Sequence, residues 1–450
     1  MSEPRRRYHL LAWLVLLAIA ACALTIMSGL GAALTYTDLE PTLRSAGLTL
    51  QHFRAIHETF AFAWVFVGGA SVVYLYLHAN HGSLSTATRQ RFAWQLVLWS
   101  AAGVGILISL LTGHFTGREY LEYHPFFSVL IVAGWLLFAW NYFSYLGGGL
   151  KGQPVYIYMW SIGIGLFVIS FTEGHLYLLD FLSARPERDL AVQWKSNGTL
   201  VGAFNQIVYG SLMYVAGKIS GDDSYAHSRT AFALFVVGAL NTFTNYGHHT
   251  YHLPQTPVIH WISFLVSMLE VIILAKVFLD LLSLRRGPGV APEHRTAGSF
   301  IHSATVWTFS LLIVALLISV PPLNALIHGT HVVVAHSMGS MIGIDSMILW
   351  AALSYTLWYI ASDRTDGSFG RRVYRAVPPL NTFLAVFLIS YLLRGAAAGW
   401  TRYAGATAGD FSQIFILFPA IMVVSGLGVA ICTLWILLQW LVAVHRTLTA

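Results

Sequence analysis

Histidines recur at the ends of the apolar stretches of this sequence. His57 opens the second stretch, His114 follows the third, His175 ends the fifth, His248 and His249 close the seventh, and His336 lies early in the tenth. Imidazole is the commonest metal-ligating side chain. It is also expensive to place in a bilayer unless it ligates something or lines a cavity. Six histidines from five stretches at one depth are what a helical bundle needs to hold metals between facing helices; singly, each could instead cap a helix end at the membrane interface. Adjacent His248 and His249 stand about 100° apart on a helix, so both reach one metal only where the helix ends or distorts, and His252-Leu253-Pro254 supplies such an end. The pair points to a non-haem metal, iron or copper, since imidazole suits both. In His336-Ser337-Met338 the positions i and i+2 lie about 200° apart, so one helix can serve two cofactors. His336 would face the metal of His248 and His249, and Met338 would face His57, a histidine-methionine axial pair for low-spin haem. The alternative for Met338 is packing. Glu270, an acid in the middle of the eighth stretch, is a functional candidate because ionisable groups at that depth mark ion or proton routes.

The elements that position these residues are membrane helices. Of 450 residues, 56% are hydrophobic and only 10% charged, which excludes a soluble globule. Stretches long enough to span about 30 Å of hydrocarbon lie at roughly 10–34, 54–78, 93–113, 126–146, 156–180, 198–217, 229–249, 257–282, 301–321, 331–361, 378–400 and 412–443. They do not alternate as barrel strands would. The expected fold is therefore an all-α, polytopic bundle of about twelve transmembrane helices in a single membrane domain, 1–450. Arg5, Arg6 and Arg7 before the first stretch read as the flank of a retained helix rather than of a signal peptide. With the N-terminus cytoplasmic, the tails and even-numbered loops hold 16 of the 25 Lys and Arg residues, so both termini are expected in the cytoplasm and the histidines toward the periplasm of a bacterial inner membrane. The net charge of +6 is scattered through loops, which argues against a nucleic-acid partner. Cys22 and Cys432 lie inside apolar runs and offer neither a disulfide framework nor a Cys-x-x-Cys-His haem attachment.

Five segments in order carry a family resemblance: Arg54-Ala55-Ile56-His57, Gly117-Arg118-Glu119-Tyr120-Leu121-Glu122, Gly247-His248-His249, Ser267-Met268-Leu269-Glu270, and His328-Gly329-Thr330-His331 running to Ala335-His336. Over most of its length the chain resembles the large, catalytic subunit of bacterial nitric oxide reductase, a branch of the haem-copper oxidase superfamily. The resemblance implies a subunit I-like fold, a low-spin haem b on His57, a high-spin haem b3 on His336, and non-haem iron held partly by His248 and His249. It also implies a calcium ion at Glu119 and Glu122 beside the haem propionates, Arg54 near those propionates, and a membrane-anchored cytochrome c small subunit as electron donor.

The departures from that pattern lie in the sixth stretch. Where the family has Trp-x-x-His and a glutamate one turn on, this chain has Trp194-Lys195-Ser196-Asn197 and Val201. Asn197 can offer only a neutral carbonyl oxygen as third metal ligand, and Val201 can neither bind metal nor carry a proton. Met338 replaces a family histidine, and His175 and His252 are the histidines that could compensate. Glu270 is then the remaining embedded acid. The first expectation is reduction of two NO to N2O with Glu270 and Asn197 at the site. The alternatives are nitric oxide dismutation to N2 and O2, which the lost acid resembles; oxygen reduction as in terminal oxidases; and a non-catalytic subunit that passes electrons or senses NO.

Overall fold

The computed structural model of the protein describes residues 7–147, 149–251, 256–284, 290–361, 368–405 and 411–449, the side chains of Asn245, His248, Ser283, Leu284 and Ser368 excepted. All regular elements among the described residues are helical. Twelve principal helices answer to the twelve apolar stretches: α1 (His9–Leu34), α2 (Leu50–His81), α3 (Thr86–Leu111), α4 (Phe126–Ser144), α5 (Val155–Gly174), α6 (Pro186–Ser220), α7 (Arg229–Thr244), α8 (Pro257–Leu284), α9 (Arg295–Ser319), α10 (His331–Ala361), α11 (Ser368–Ala404) and α12 (Ser412–Thr449). Ten are long and apolar enough to cross a membrane; α6 and α7 are the exceptions. In lipid a chain must satisfy its backbone hydrogen bonds within each segment, and continuous helices do that.

Hydropathy misplaces some ends. α6 begins at Pro186, about three turns before the apolar stretch at 198, because its first turns are polar yet well terminated. Pro186 needs no donor at the first helical position, Glu187 and Asp189 complement the helix dipole, and Arg118 holds Asp189 at 2.7 Å. α11 likewise starts at Ser368 rather than 378, through a basic first segment. α2 starts at Leu50 rather than 54, where Thr49 and His52 form a reciprocal cap. His57 therefore sits about two turns inside α2 instead of opening it.

Helices α2, α6 and α10 pack against one another and form the centre, while α12 returns to lie against α1. The most apolar window of α2 is 78% buried, against 28% in α3 and in α8. Peripheral helices turn apolar stripes outward, such as Trp94, Val97, Val104 and Ile108 on α3 and Leu265, Leu269, Ile272 and Leu279 on α8, as lipid contact requires. Close approach at the centre needs small residues: a Cβ on Gly163 of α5 would meet the backbone carbonyl of Ala203 in α6 at 2.8 Å.

Candidate functional site

His57 is oriented by a residue 32 positions earlier. Its Nδ1 lies 2.8 Å from the Thr25 carbonyl of α1. A carbonyl cannot donate, so Nδ1 carries the proton and Nε2 keeps its lone pair for a ligand, the arrangement that fixes metal-binding imidazoles elsewhere. Gly29, one turn on in α1, leaves room for the ring: a Cβ there would fall 2.8 Å from His57 Nδ1.

His336 lies in the N-terminal part of α10. That end is set by Gly329, whose φ of +70° admits little but glycine, and by Thr330, whose hydroxyl accepts from the Val332 amide at 3.3 Å. The Nδ1 of His336 is buried and unpartnered. Met338 is half-buried against the core. Immediately after it, Gly339–Ser346 winds as a π-helix before α-helix resumes at Met347. Such wide turns are rare and concentrate at functional sites.

The residues expected to hold a second metal are gathered less completely. α7 stops at Thr244, and Asn245–Thr250 forms a 3-10 segment that carries His248 and His249. The His249 ring stacks on Trp194 at 5.4 Å with 2° between planes. The His248 side chain and the whole of His252 lie outside the described residues. Asn197 is 9% exposed, with its Nδ2 buried and unpartnered. Among the described residues, no three His, Cys, Asp or Glu side chains come together as a metal-binding group. His175, offered by the sequence as a compensating ligand, is already engaged: Nδ1 on the Phe171 carbonyl and Nε2 on Ser128 Oγ, both at 2.7 Å. His114 is exposed on the surface, bonded to Thr112.

A polar cluster stands at the same end of the bundle. Arg54 donates to Glu122 at 2.7 Å and lies 3.6 Å from Glu58, while Gln193 of α6 donates to Glu119 at 3.1 Å. Burial raises the Glu119 carboxyl above its ordinary range, against the opposing pull of Arg54. Between the two loop glutamates, Tyr120 takes φ of +63°, a left-handed conformation that non-glycine residues rarely adopt, with its ring edge-on to Phe62 at 5.1 Å. Sequence reading singled out Arg54, Glu119 and Glu122 but missed Glu58 and Gln193. Glu58 lies one turn after Arg54, a spacing that signals an ion pair on any helix. Gln193 carries no comparable signal. Glu270 accepts a hydrogen bond from Asn241 of α7 and stands at the α7–α8 interface.

A bundle of long apolar helices, two of whose central members carry the candidate histidines His57 and His336, defines a polytopic membrane protein. The sequence matches the family described as cytochrome c and quinol oxidase polypeptide I over residues 9–368, and the chain belongs to it. Among solved structures, it is similar to a haem-copper terminal oxidase dimer determined by cryo-electron microscopy, with TM-score 0.71 and 13% identity, over 100% of this chain and 85% of that one. Among curated proteins none matches. This is accordingly an oxidoreductase of the haem-copper oxidase superfamily, whose members carry haem and metal. His57 fits a haem through its oriented ring, and His336 through a ring whose Nδ1 is buried and unpartnered. The described donors for a second metal do not assemble into a site.

Proposed function

We propose that the chain is the catalytic subunit of a membrane enzyme that reduces a small diatomic gas at haem, with His57 and His336 as haem ligands. The observation that carries this reading is the family match through residue 368, which takes in both histidines on the mutually packed α2 and α10. Haem, when bound, supplies the redox-active iron. The protein's own contribution is to orient the His57 ring from Thr25, to set Arg54 and its carboxylates at the outer end for propionate or calcium contact through Glu119 and Glu122, and to keep Glu270 as a protonatable group in the bundle. With no Cys-x-x-Cys-His attachment in the chain, electrons come from a partner, for which a membrane-anchored cytochrome c is the candidate.

Oxygen is the substrate that the comparisons favour, since both the family description and the similar structure are those of oxidases. A second reading, reduction of NO, is favoured by the five ordered motifs, with Asn197 in place of the family's histidine counting against it. In that reading His248, His249 and Asn197 hold a non-haem iron. Purified protein supplied with an artificial reductant separates the two: oxygen uptake without N2O formation supports the first, and N2O from anaerobic NO supports the second. Haem-loaded protein inert toward both gases would overturn the reductase reading.

A further inference from the structure

Charge is unevenly divided between the two ends of α3 and α4. From Gly82 to Thr172 the only acids are Glu119 and Glu122, in the loop that leads from α3 to α4. At the other end, where α3 begins and α4 stops, Arg89 and Arg91 have no acid beside them in the sequence. Arg91 stands about a turn and a half inside α3 and is half-buried. Among the described residues no carboxylate pairs with it. A cation within a membrane helix is costly without a partner, which makes it a functional candidate.

Four buried residues aim this side chain. Tyr74 of α2, Thr88 and Gln95 of α3 and Asn141 of α4 are each at most 2% exposed. Asn141 Nδ2 donates to the Tyr74 hydroxyl at 2.9 Å and to the Thr88 carbonyl at 3.2 Å, and Tyr74 donates to Gln95 Oε1 at 2.6 Å. Both amide hydrogens of Asn141 are thereby engaged, and its Oδ1 accepts from Arg91 Nε at 2.7 Å. Arg91 Nη2 donates in addition to Thr88 Oγ1 at 3.3 Å. Hydrogen-bonded networks in a buried setting rigidify what they hold. The guanidinium also lies over the Trp140 ring of α4, 4.9 Å from its centroid, and Trp140 is 62% exposed. Trp94 and Val97 of α3 and Leu136 of α4 are exposed on the same packed pair of helices.

We propose that α3 and α4 form a binding site for an anionic phospholipid, with the phosphodiester on Arg91 and the acyl chains along Trp94, Val97 and Leu136. The two non-bridging oxygens of a phosphodiester match the fork of a guanidinium, and Arg91 Nη1 meets no acceptor among the described residues. Trp140 sits where indole rings belong, at headgroup level. A zwitterionic headgroup would bring its ammonium against Arg89 and Arg91, so a net negative headgroup is preferred. Asn141 is a positioning residue, fixing the guanidinium before the lipid arrives. The surrounding bilayer supplies such a lipid, whereas a helix of another subunit would need an acid of its own at this depth.

The test reads binding rather than turnover. Purified holoprotein, stripped of lipid in a neutral detergent, is titrated with phosphatidylglycerol, phosphatidylcholine or glycerol phosphate. Bound lipid is measured by native mass spectrometry and the thermal midpoint is followed alongside. Phosphatidylglycerol should bind about ten-fold more tightly than phosphatidylcholine and raise the midpoint, and glycerol phosphate, which lacks the chains, should do neither. Arg91→Gln should weaken phosphatidylglycerol binding about ten-fold, the worth of a charge-assisted hydrogen bond, and leave phosphatidylcholine binding unchanged. Asn141→Asp keeps the side-chain shape and gives Arg91 an internal counter-charge, so it should erase the same preference, and it decides the matter if Arg91→Gln does not fold. Equal affinities for the two lipids in wild type, or a preference that survives in either folded variant, would overturn the proposal. An equal response to glycerol phosphate would overturn it in favour of a free-phosphate site, and a co-purifying protein crosslinked through position 140 would give this face to a partner helix instead.

Discussion

At the scale of single residues, the type of a side chain was legible in the sequence and its readiness to ligate was not. His57 stands out as a histidine in an apolar run, yet what aims its ring is a backbone carbonyl at Thr25 and the missing side chain of Gly29, neither of which leaves any mark in a pattern of spacings. His175 looked equivalent to His57 until its two ring nitrogens proved to be bonded to Phe171 and Ser128. The orientation of His57 makes a sharp prediction. Gly29→Ala should push the ring off Thr25, since close-packed interiors accommodate an added methyl only by displacement, at roughly 1–3 kcal/mol. Low-spin haem per protein, read from the reduced absorption spectrum, should fall well below wild type. An unchanged spectrum would mean that His57 does not bind haem through the ring position seen here. Asn197→His tests the other side of the site: it should raise non-haem metal content if Asn197 stands at a weakened metal position, and leave it unchanged if no such position exists.

At the scale of elements, the apolar spans were readable because lipid imposes one length and one kind of backbone bonding on each of them. The polar beginnings of α6 and α11 were not, because a hydropathy window registers only the segment in contact with hydrocarbon. The structure ties the start of α6 by charge to the loop after α3 and to the end of α5. Arg118, only 7% exposed at its side chain, pairs with Asp189, and Lys195 with Glu173 at 2.6 Å. Removing the Asp189 charge leaves a shielded guanidinium without its counterion, so Asp189→Asn should destabilise by about 1–3 kcal/mol, between the values for exposed and fully buried pairs. A lower thermal midpoint in detergent, partly restored by changing Arg118 to Gln as well, is the expected pattern. Equal midpoints for wild type and Asp189→Asn would show that the pair does not anchor α6. The start of α10 depends on backbone geometry instead. Gly329→Ala forces a Cβ onto a left-handed residue and should destabilise by roughly 1–2 kcal/mol, with haem loss following, because His336 lies within two turns of that end.

At the scale of the whole molecule, two features bear on the sidedness that we propose for the site. If the ten long apolar helices among the described residues each cross once, the chain returns to the face from which it set out, and α12 packs on α1. At that face Arg7 donates to the His78 carbonyl at the end of α2 at 2.8 Å, so a basic residue satisfies a terminal carbonyl of a central helix. In the sequence the tails and even-numbered loops hold 16 of the 25 Lys and Arg residues, whereas His336, Arg54, Glu119 and Glu122 belong to the opposite ends of the spans. By the positive-inside rule we propose that the termini lie in the cytoplasm and the candidate site toward the periplasm. Green fluorescent protein fused after Thr449 should fluoresce, and alkaline phosphatase fused there should be inactive. Phosphatase fused in the loop between α3 and α4 should be active. The inverse pattern would move Glu119, Glu122 and the haem ligands to the cytoplasmic half. An electron donor docking from the periplasm would then be ruled out.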